Sequence, residues 1–386
     1  MTGSNLERRI SVDGEYGYLL HLIRCGIHGQ TPKDIPDGLS FRKIYDDAME
    51  HDVANLAFYG IEKLEHKPEK ELYHSWRSRR DLALVRDINQ IFAREEIRAE
   101  LTTKGIPYKE LQGTVIKKLY PSTEYRTMSD LDFIVERSRL ADCVPILEQL
   151  GYRIKKIGEY EINGFRAPDI FVEIHTDYFS EGSDYYGLMD LSFSETAAMD
   201  GESELYLYTV LHTAKHYFSG GCGIRRVLDM YYLDQRYGDK VDRKTIDAVL
   251  AKADLTDFEC QLVSLARAWF GTDEQRQNIS SMEQYIFHAG LHGKRETGIY
   301  NRLRKREKGE RITLSTKVKY TMSRLFPGDV VMVRAFPVLK KYRILYPFCW
   351  IYRIFRMLCG KNRASSVLDL KMIFRVEDHR DPSLKE

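Results

Sequence analysis

Residues 110–135 read ELQGTVIKKLYPSTEYRTMSDLDFIV, and this stretch decides the fold. A Gly-Thr turn at Gly113-Thr114 is followed by two aspartates, Asp130 and Asp132, set in an apolar run. Alternate residues of a strand share a face, so a strand over 130–136 turns both carboxylates one way and Leu131 and Phe133 the other. Two like charges side by side on a buried strand repel, and burying either one unpaired is costly. A divalent cation between them removes the conflict. Carboxylate oxygens suit a hard ion such as Mg²⁺, which usually takes one or two carboxylates plus substrate phosphates.

A third acid extends the pattern. Residues 169–175, DIFVEIH, read as another strand with Phe171, Glu173 and His175 on one face. If that strand lies beside the first, Glu173 reaches the ions held by Asp130 and Asp132. Three carboxylates are what a two-metal phosphoryl-transfer site needs, one ion activating the attacking oxygen and the other steadying the triphosphate. An Asp-x-Asp alone is common in loops; the preceding Gly-Thr turn and the later strand-borne Glu give this one its meaning. His175 either orients a catalytic carboxylate or closes the core beside it.

These residues resemble the DNA polymerase β-type nucleotidyltransferase superfamily, whose signature is an apolar residue, Gly, Gly or Ser, then Asp-x-Asp/Glu and a later strand carboxylate. More closely, the chain is similar to a branch of bacterial nucleotidyltransferases with little functional description. The likeness is carried by Leu111-Gln112-Gly113, Tyr120-Pro121, Arg126, Asp130-Leu131-Asp132, Leu147 to Tyr152 and Val172-Glu173-Ile174-His175. Weaker echoes run through Leu211-His212 to His216, Ile224-Arg225 to Asp229, and Leu325-Phe326-Pro327.

The resemblance implies transfer of a nucleoside monophosphate from an NTP, with Mg²⁺ or Mn²⁺ held by Asp130, Asp132 and Glu173 as catalytic residues. Gly113 and Thr114 at a helix N-terminus would cradle phosphates. Arg126 would bind the triphosphate bidentately, and Lys117 and His216 are further candidates for the cleft. Gln112 stands where the branch has Lys, which removes a phosphate-binding cation. Thr114 replaces a Gly or Ser, and the spacing to Asp130 is longer than usual. An inactive, binding or regulatory descendant of the fold therefore stays open as an alternative. So do RNA-modifying transfer, for instance to tRNA ends, and a small-molecule or sugar acceptor.

His212 and His216 share a helix face, and with Asp229 they form a weaker alternative, a zinc site. Arg225 and Arg226, just after Gly220-Gly221, are placed to reach the same cleft.

At 386 residues the chain can hold two or three domains with an ample core. Its six cysteines include no Cys-x-x-Cys pair, which argues against a cysteine zinc site and a disulfide framework and fits a reducing cytoplasm. The first residues, MTGSNLERRISVDGEYG, contain no apolar signal core.

Charge is unevenly spread. Residues 294–386 hold 23 Lys and Arg against 9 Asp and Glu, so with a total of +2 the preceding part carries about −12. A basic C-terminal third implies contact with a polyanion, namely nucleic acid or a lipid surface, or else with the acidic remainder. The cluster Arg302, Arg304, Lys305 and Arg306 is its densest part.

The expected architecture is α/β (α+β): a small mixed β-sheet flanked by N- and C-terminal helical regions. Residues 1–104 read as helical, 105–200 as the nucleotidyltransferase core, 201–293 as helical, and 294–386 as a basic helical region. A long run of helix formers from Glu69 to Thr103 ends at Gly105 and Pro107. Strands are expected near 107–111, 130–136, 152–157, 160–165 and 169–176, with helices at 114–120 and 138–150. Asn163-Gly164 reads as a hairpin turn, making the later strands antiparallel. The aromatic stretch 335–359 is interrupted by Lys340, Lys341, Arg343, Arg353 and Arg356, too often for a transmembrane segment. It reads as packed core helices, or as a basic amphipathic helix on an anionic membrane.

Overall fold

The computed structural model describes residues 14–193, 199–271, 280–290, 298–300, 303, 312–359, 368 and 371–375. Four helices open the chain: α1 (Glu15–Ile27), α2 (Phe41–Glu50), α3 (Ala54–Ile61) and α4 (Lys70–Thr103). Helix α2 starts where Ser40 Oγ accepts the Lys43 backbone N–H, satisfying one of the orphan donors of its first turn. Helices α1 and α3 meet backbone to backbone: a Cβ on Gly60 would lie 2.3 Å from the Leu22 carbonyl oxygen. The run of good helix formers becomes a single helix of 34 residues. It stops at Gly105 in the left-handed region (φ 59°), while the Ile106 N–H donates to the Leu101 carbonyl.

The sheet follows. Strand β1 (Tyr108–Glu110) leads into a short helix α5 (Gln112–Ile116), two 3₁₀ turns, and strand β2 (Leu131–Val135). Helix α6 (Cys143–Gln149) precedes β3 (Arg153–Ile157), β4 (Glu161–Arg166) and β5 (Ile170–His175). The order in the sheet is β1-β2-β5-β4-β3, with β2 and β5 parallel and every other pair antiparallel. This is the small mixed sheet expected of an α/β fold. Leu131, Phe133, Val135, Val172 and Ile174 face the core, against Ala93, Ile97 and Leu101 of α4 and Ile146 and Leu147 of α6.

One expectation needs correcting. Asn163-Gly164 lies in the middle of β4, not at a turn; the chain reverses after Ile157 and after Arg166 instead. A Cβ on Gly164 would come within 3.0 Å of Val172 Cγ1, so the glycine serves close packing between strands. The antiparallel pairing inferred from it is nevertheless present.

The remaining helices are α7 (Gly201–Ser219), α8 (Ile224–Tyr237), α9 (Arg243–Lys252), α10 (Thr256–Phe270), α11 (Ser280–Ala289), α12 (Leu314–Leu325), α13 (Asp329–Ala335) and α14 (Tyr346–Cys359). The chain divides into two compact units. The first comprises Met1–Ser180, Gly187–His212 and Gly223–Ile279, and contains the sheet. The second comprises Glu181–Tyr186, Thr213–Cys222 and Ser280–Glu386, with a small core of Ile299, Leu303, Ile312, Tyr320 and Ile373. The basic cluster Arg302, Arg304, Lys305 and Arg306 lies outside the described residues. Among the described residues, no helix is long and apolar enough to cross a membrane.

Candidate active site

Parallel pairing of β2 and β5 makes Asp132 and Glu173 direct Cα partners. Both sit on the face turned away from the Phe133–Val172 core, because side chains alternate along a strand. His175, two residues on, shares that face. Its Nε2 lies 3.1 Å from Asp132 Oδ1 and 3.5 Å from Glu173 Oε2. One donor atom from each of Asp132, Glu173 and His175 falls within 4.8 Å of the others. The two carboxylates stay 30 % and 32 % exposed, which leaves the group open to a small ligand. Asn163, on the neighbouring strand β4, donates its Nδ2–H to Glu173 Oε1 at 2.7 Å and fixes that carboxylate.

Asp130 stands just outside this close group. Strand β2 begins at Leu131, where pairing with Val172 starts, so Asp130 occupies its entrance. The Ser129 hydroxyl donates to Asp130 Oδ1 at 2.8 Å. Burial, and then the charge of Asp132, raise the proton affinity of both Asp130 and Glu173. For His175 burial pulls the other way, but the hydrogen bond and charge of Asp132, with Glu173, outweigh it and hold the imidazole's pKa up. Such a concentration of negative charge is what a divalent cation would relieve, and the carboxylate oxygens suit a hard ion.

The residues expected to hold phosphates have found other partners. Thr114 is buried, and its Oγ1–H donates to the Leu111 carbonyl at 2.9 Å. Lys117, 4 % exposed, pairs with Asp87, whose other oxygen accepts from Thr123 Oγ1 at 2.5 Å. Burial lowers the Lys117 pKa, with Asp87 opposing. Arg126 is bidentate to Asp229, through Nε at 2.7 Å and Nη2 at 2.8 Å, and the Tyr120 hydroxyl joins at 2.7 Å. Burial works against the Arg126 charge, but Asp229 overcomes it and raises its pKa. This pair also removes Asp229 from any zinc site with His212. Gly113 is closely packed: a Cβ there would lie 2.7 Å from Met128 Sδ and 3.1 Å from Arg126 Nη1. Arg126 therefore braces the Gly113 turn. His216 belongs to the second unit.

Helices α7 and α8 supply a cationic and aromatic group. Gln112 Oε1 contacts His212 Nδ1, and Arg226 Nη1 lies 3.4 Å from the same nitrogen. Tyr208 stacks on His212, with centroids 5.3 Å apart and planes at 14°. Burial, then the charge of Asp132, raise the Tyr208 phenol pKa against the opposing pull of Arg226, so this group adjoins the acidic face. Arg225 donates to Asp52 Oδ2 at 2.6 Å and to the Thr127 carbonyl at 2.9 Å, and its charge reaches Asp130. His212, Arg225 and Arg226 are legible as candidates from the two helices that carry them. Asn163 and Tyr208 are not: a polar residue in a strand and an aromatic in a helix give no local signal.

The profile of a family described as uncharacterised nucleotidyltransferase matches residues 37–271, more than half of the chain. The chain belongs to this nucleotidyltransferase family. A search of curated proteins finds no match. Among solved structures, the chain is similar to the solution structure of the antibiotic-resistance factor ANT(2'')-Ia, at 14 % identity over 52 % of this chain and 99 % of that one, with a TM-score of 0.25. The matched span contains every strand of the nucleotidyltransferase sheet, the acidic group and its α7–α8 neighbours, and ends at Gly271, the residue that closes α10.

Proposed function

We propose that this nucleotidyltransferase moves a nucleoside monophosphate from an NTP to a hydroxyl acceptor by a two-metal mechanism, with Asp130, Asp132 and Glu173 as the metal ligands. The observation that carries the reading is the cross-strand partnership of Asp132 and Glu173 on the open face of the sheet. Two Mg²⁺ or Mn²⁺ ions bound there would supply charge neutralisation for the triphosphate and a lowered pKa for the acceptor hydroxyl. Asp132 and Glu173 would hold the ions from neighbouring strands, and Asp130, at the entrance of β2, would add the third carboxylate. The acceptor oxygen attacks the α-phosphorus as the bond to the bridging oxygen of the β-phosphate breaks, and pyrophosphate leaves with that electron pair. Glu173, whose orientation Asn163 holds, would take the acceptor's proton. Arg226, with His212 beside it, stands as the cation facing the phosphates, in place of Lys117 and Arg126.

Calorimetric titration with Mg²⁺ and a non-hydrolysable NTP tests this directly. Binding is expected for the wild type and lost in the double variant Asp130→Ala, Asp132→Ala. A folded double variant that binds equally well refutes it. Incubation with each labelled NTP and a cell lysate then identifies the acceptor fraction, whether RNA, sugar or small molecule. A second reading, a binding protein without turnover, is favoured by Gln112, whose amide contacts His212 where the resembling branch carries a lysine. Tight NTP binding with no labelled product in any fraction decides for it.

A further inference from the structure

Beyond the family match lies a surface with a different chemistry. Between Ile312 and Cys359 the sequence holds nine Lys and Arg and one acid, Asp329. That acid is engaged by Arg343 at 3.4 Å and by the Tyr346 hydroxyl. Helix α14 is apolar on both sides. Its inner side carries Trp350, packed edge-on to Phe326 and to Tyr346 with centroids 5.6 Å away in each case. Arg353 donates to the Arg324 carbonyl at 2.6 Å, tying α14 to the end of α12.

The outer side is the anomaly. Phe348, Ile351, Tyr352 and Phe355 recur at helical spacing and, with Ile344 in the turn just before the helix, are between 55 % and 82 % exposed. Exposed Lys341, Arg343 and Arg356 flank them. A helix on a water-facing surface normally turns polar residues outward, and a contiguous exposed apolar patch marks an interaction site.

Charge chooses among the occupants. A second copy of the chain would bring the same cations against themselves around the patch, a repulsion built into any isologous contact. Nucleic acid would take up the cations but leave the five large apolar side chains in water. An anionic bilayer satisfies both features: rings and aliphatic groups enter the headgroup–acyl boundary while ammonium and guanidinium groups meet lipid phosphates. With 14 residues α14 spans about 21 Å, too short to cross a hydrocarbon core of about 30 Å but long enough to lie along its surface. We propose that α14 docks this protein on an anionic lipid surface, lying in the headgroup plane with Phe348, Ile351, Tyr352 and Phe355 inward.

The test is sedimentation of the full chain with vesicles of equal parts phosphatidylglycerol and phosphatidylcholine, and with phosphatidylcholine alone. Binding is expected to the first, falling with added salt, and to be at least tenfold weaker to the second. The triple variant Phe348→Ser, Ile351→Ser, Phe355→Ser should stay in the supernatant. Lys341→Gln and Arg356→Gln should each weaken binding about fivefold. All these side chains face solvent, so the variants should keep the wild-type circular dichroism and NTP affinity. The proposal is overturned if the wild type ignores anionic vesicles, if it binds neutral ones equally, or if the triple variant still sediments. It is also overturned if light scattering without lipid finds a dimer that the triple variant dissolves, or if the wild type binds RNA in preference to the anionic vesicles.

Discussion

Asp130 and Glu173 hold their protons more tightly than ordinary carboxyls, through burial and the neighbouring charge of Asp132. A carboxyl whose pKa rises on folding adds stability below its unfolded value, near about 4, and that contribution is lost as pH climbs through the raised native value. The metal-free protein should therefore lose stability from this pair as pH rises above about 4. Asp130→Asn removes one charge from the cluster. Its melting temperature in EDTA should exceed that of the wild type at neutral pH, and the gap should close under acid, where the wild-type carboxyls are protonated. A neutral-pH melting temperature at or below the wild type would show that the repulsion is absent. The same substitution should cost activity, because the variant would lose one of the proposed metal ligands, measurable as labelled product per enzyme at saturating NTP.

At the scale of elements, two close approaches hold the sheet and its flanking turn. The Arg126–Asp229 pair, joined by Tyr120, is buried and ties the segment before β2 to α8. Breaking such a pair from one side costs about 3–5 kcal/mol, because the remaining charge is left without a partner, whereas apolar replacement of both often costs far less. Arg126→Met and Asp229→Leu should each destabilise strongly in urea unfolding, and the double variant should be markedly less destabilised than their sum. Additive effects would mean that the pair is not a coupled unit. Between strands, Gly164→Ala pushes a methyl to 3.0 Å from Val172 Cγ1. The expected cost is about 1–3 kcal/mol. Val172→Ala in the same chain should recover part of it; no recovery would place the strain elsewhere.

At the scale of the molecule, ligand and metal linkage separates the two units experimentally. A ligand that binds only the native state stabilises it by about 2.7 kcal/mol at a hundredfold excess over its Kd. Mg²⁺ with a non-hydrolysable NTP should therefore raise the melting temperature, and EDTA should reverse the effect. Hydrogen exchange should slow in 112–116, 131–135 and 170–175, with no change in 346–359, since the acidic group belongs to the first unit and α14 to the second. Protection that appears only in the second unit would move the NTP away from the acidic face.

Local pattern carried the elements. The period of two around Asp132 and around Glu173, the unbroken helix formers of α4 and the Gly105 stop are properties of neighbouring residues, and they predict β2, β5 and α4 closely. The Asp-x-Asp with a later strand-borne Glu also named the acidic face, since alternation fixes which way those side chains turn. Partners distant in sequence were another matter. Lys117 and Arg126 are cations beside a phosphate-type turn and look like phosphate ligands. Only folding brings Asp87, 30 residues before Lys117, and Asp229, 103 residues after Arg126, close enough to claim them. Asn163-Gly164 looks like a turn because its residues favour one, and cross-strand contact with Val172 and Glu173 overrode that preference. The sequence by itself determined which residues share a face, because that depends on backbone period alone. Which charges stay available for a ligand was decided by tertiary structure, because a buried charge must be neutralised by whatever opposite charge the fold sets beside it.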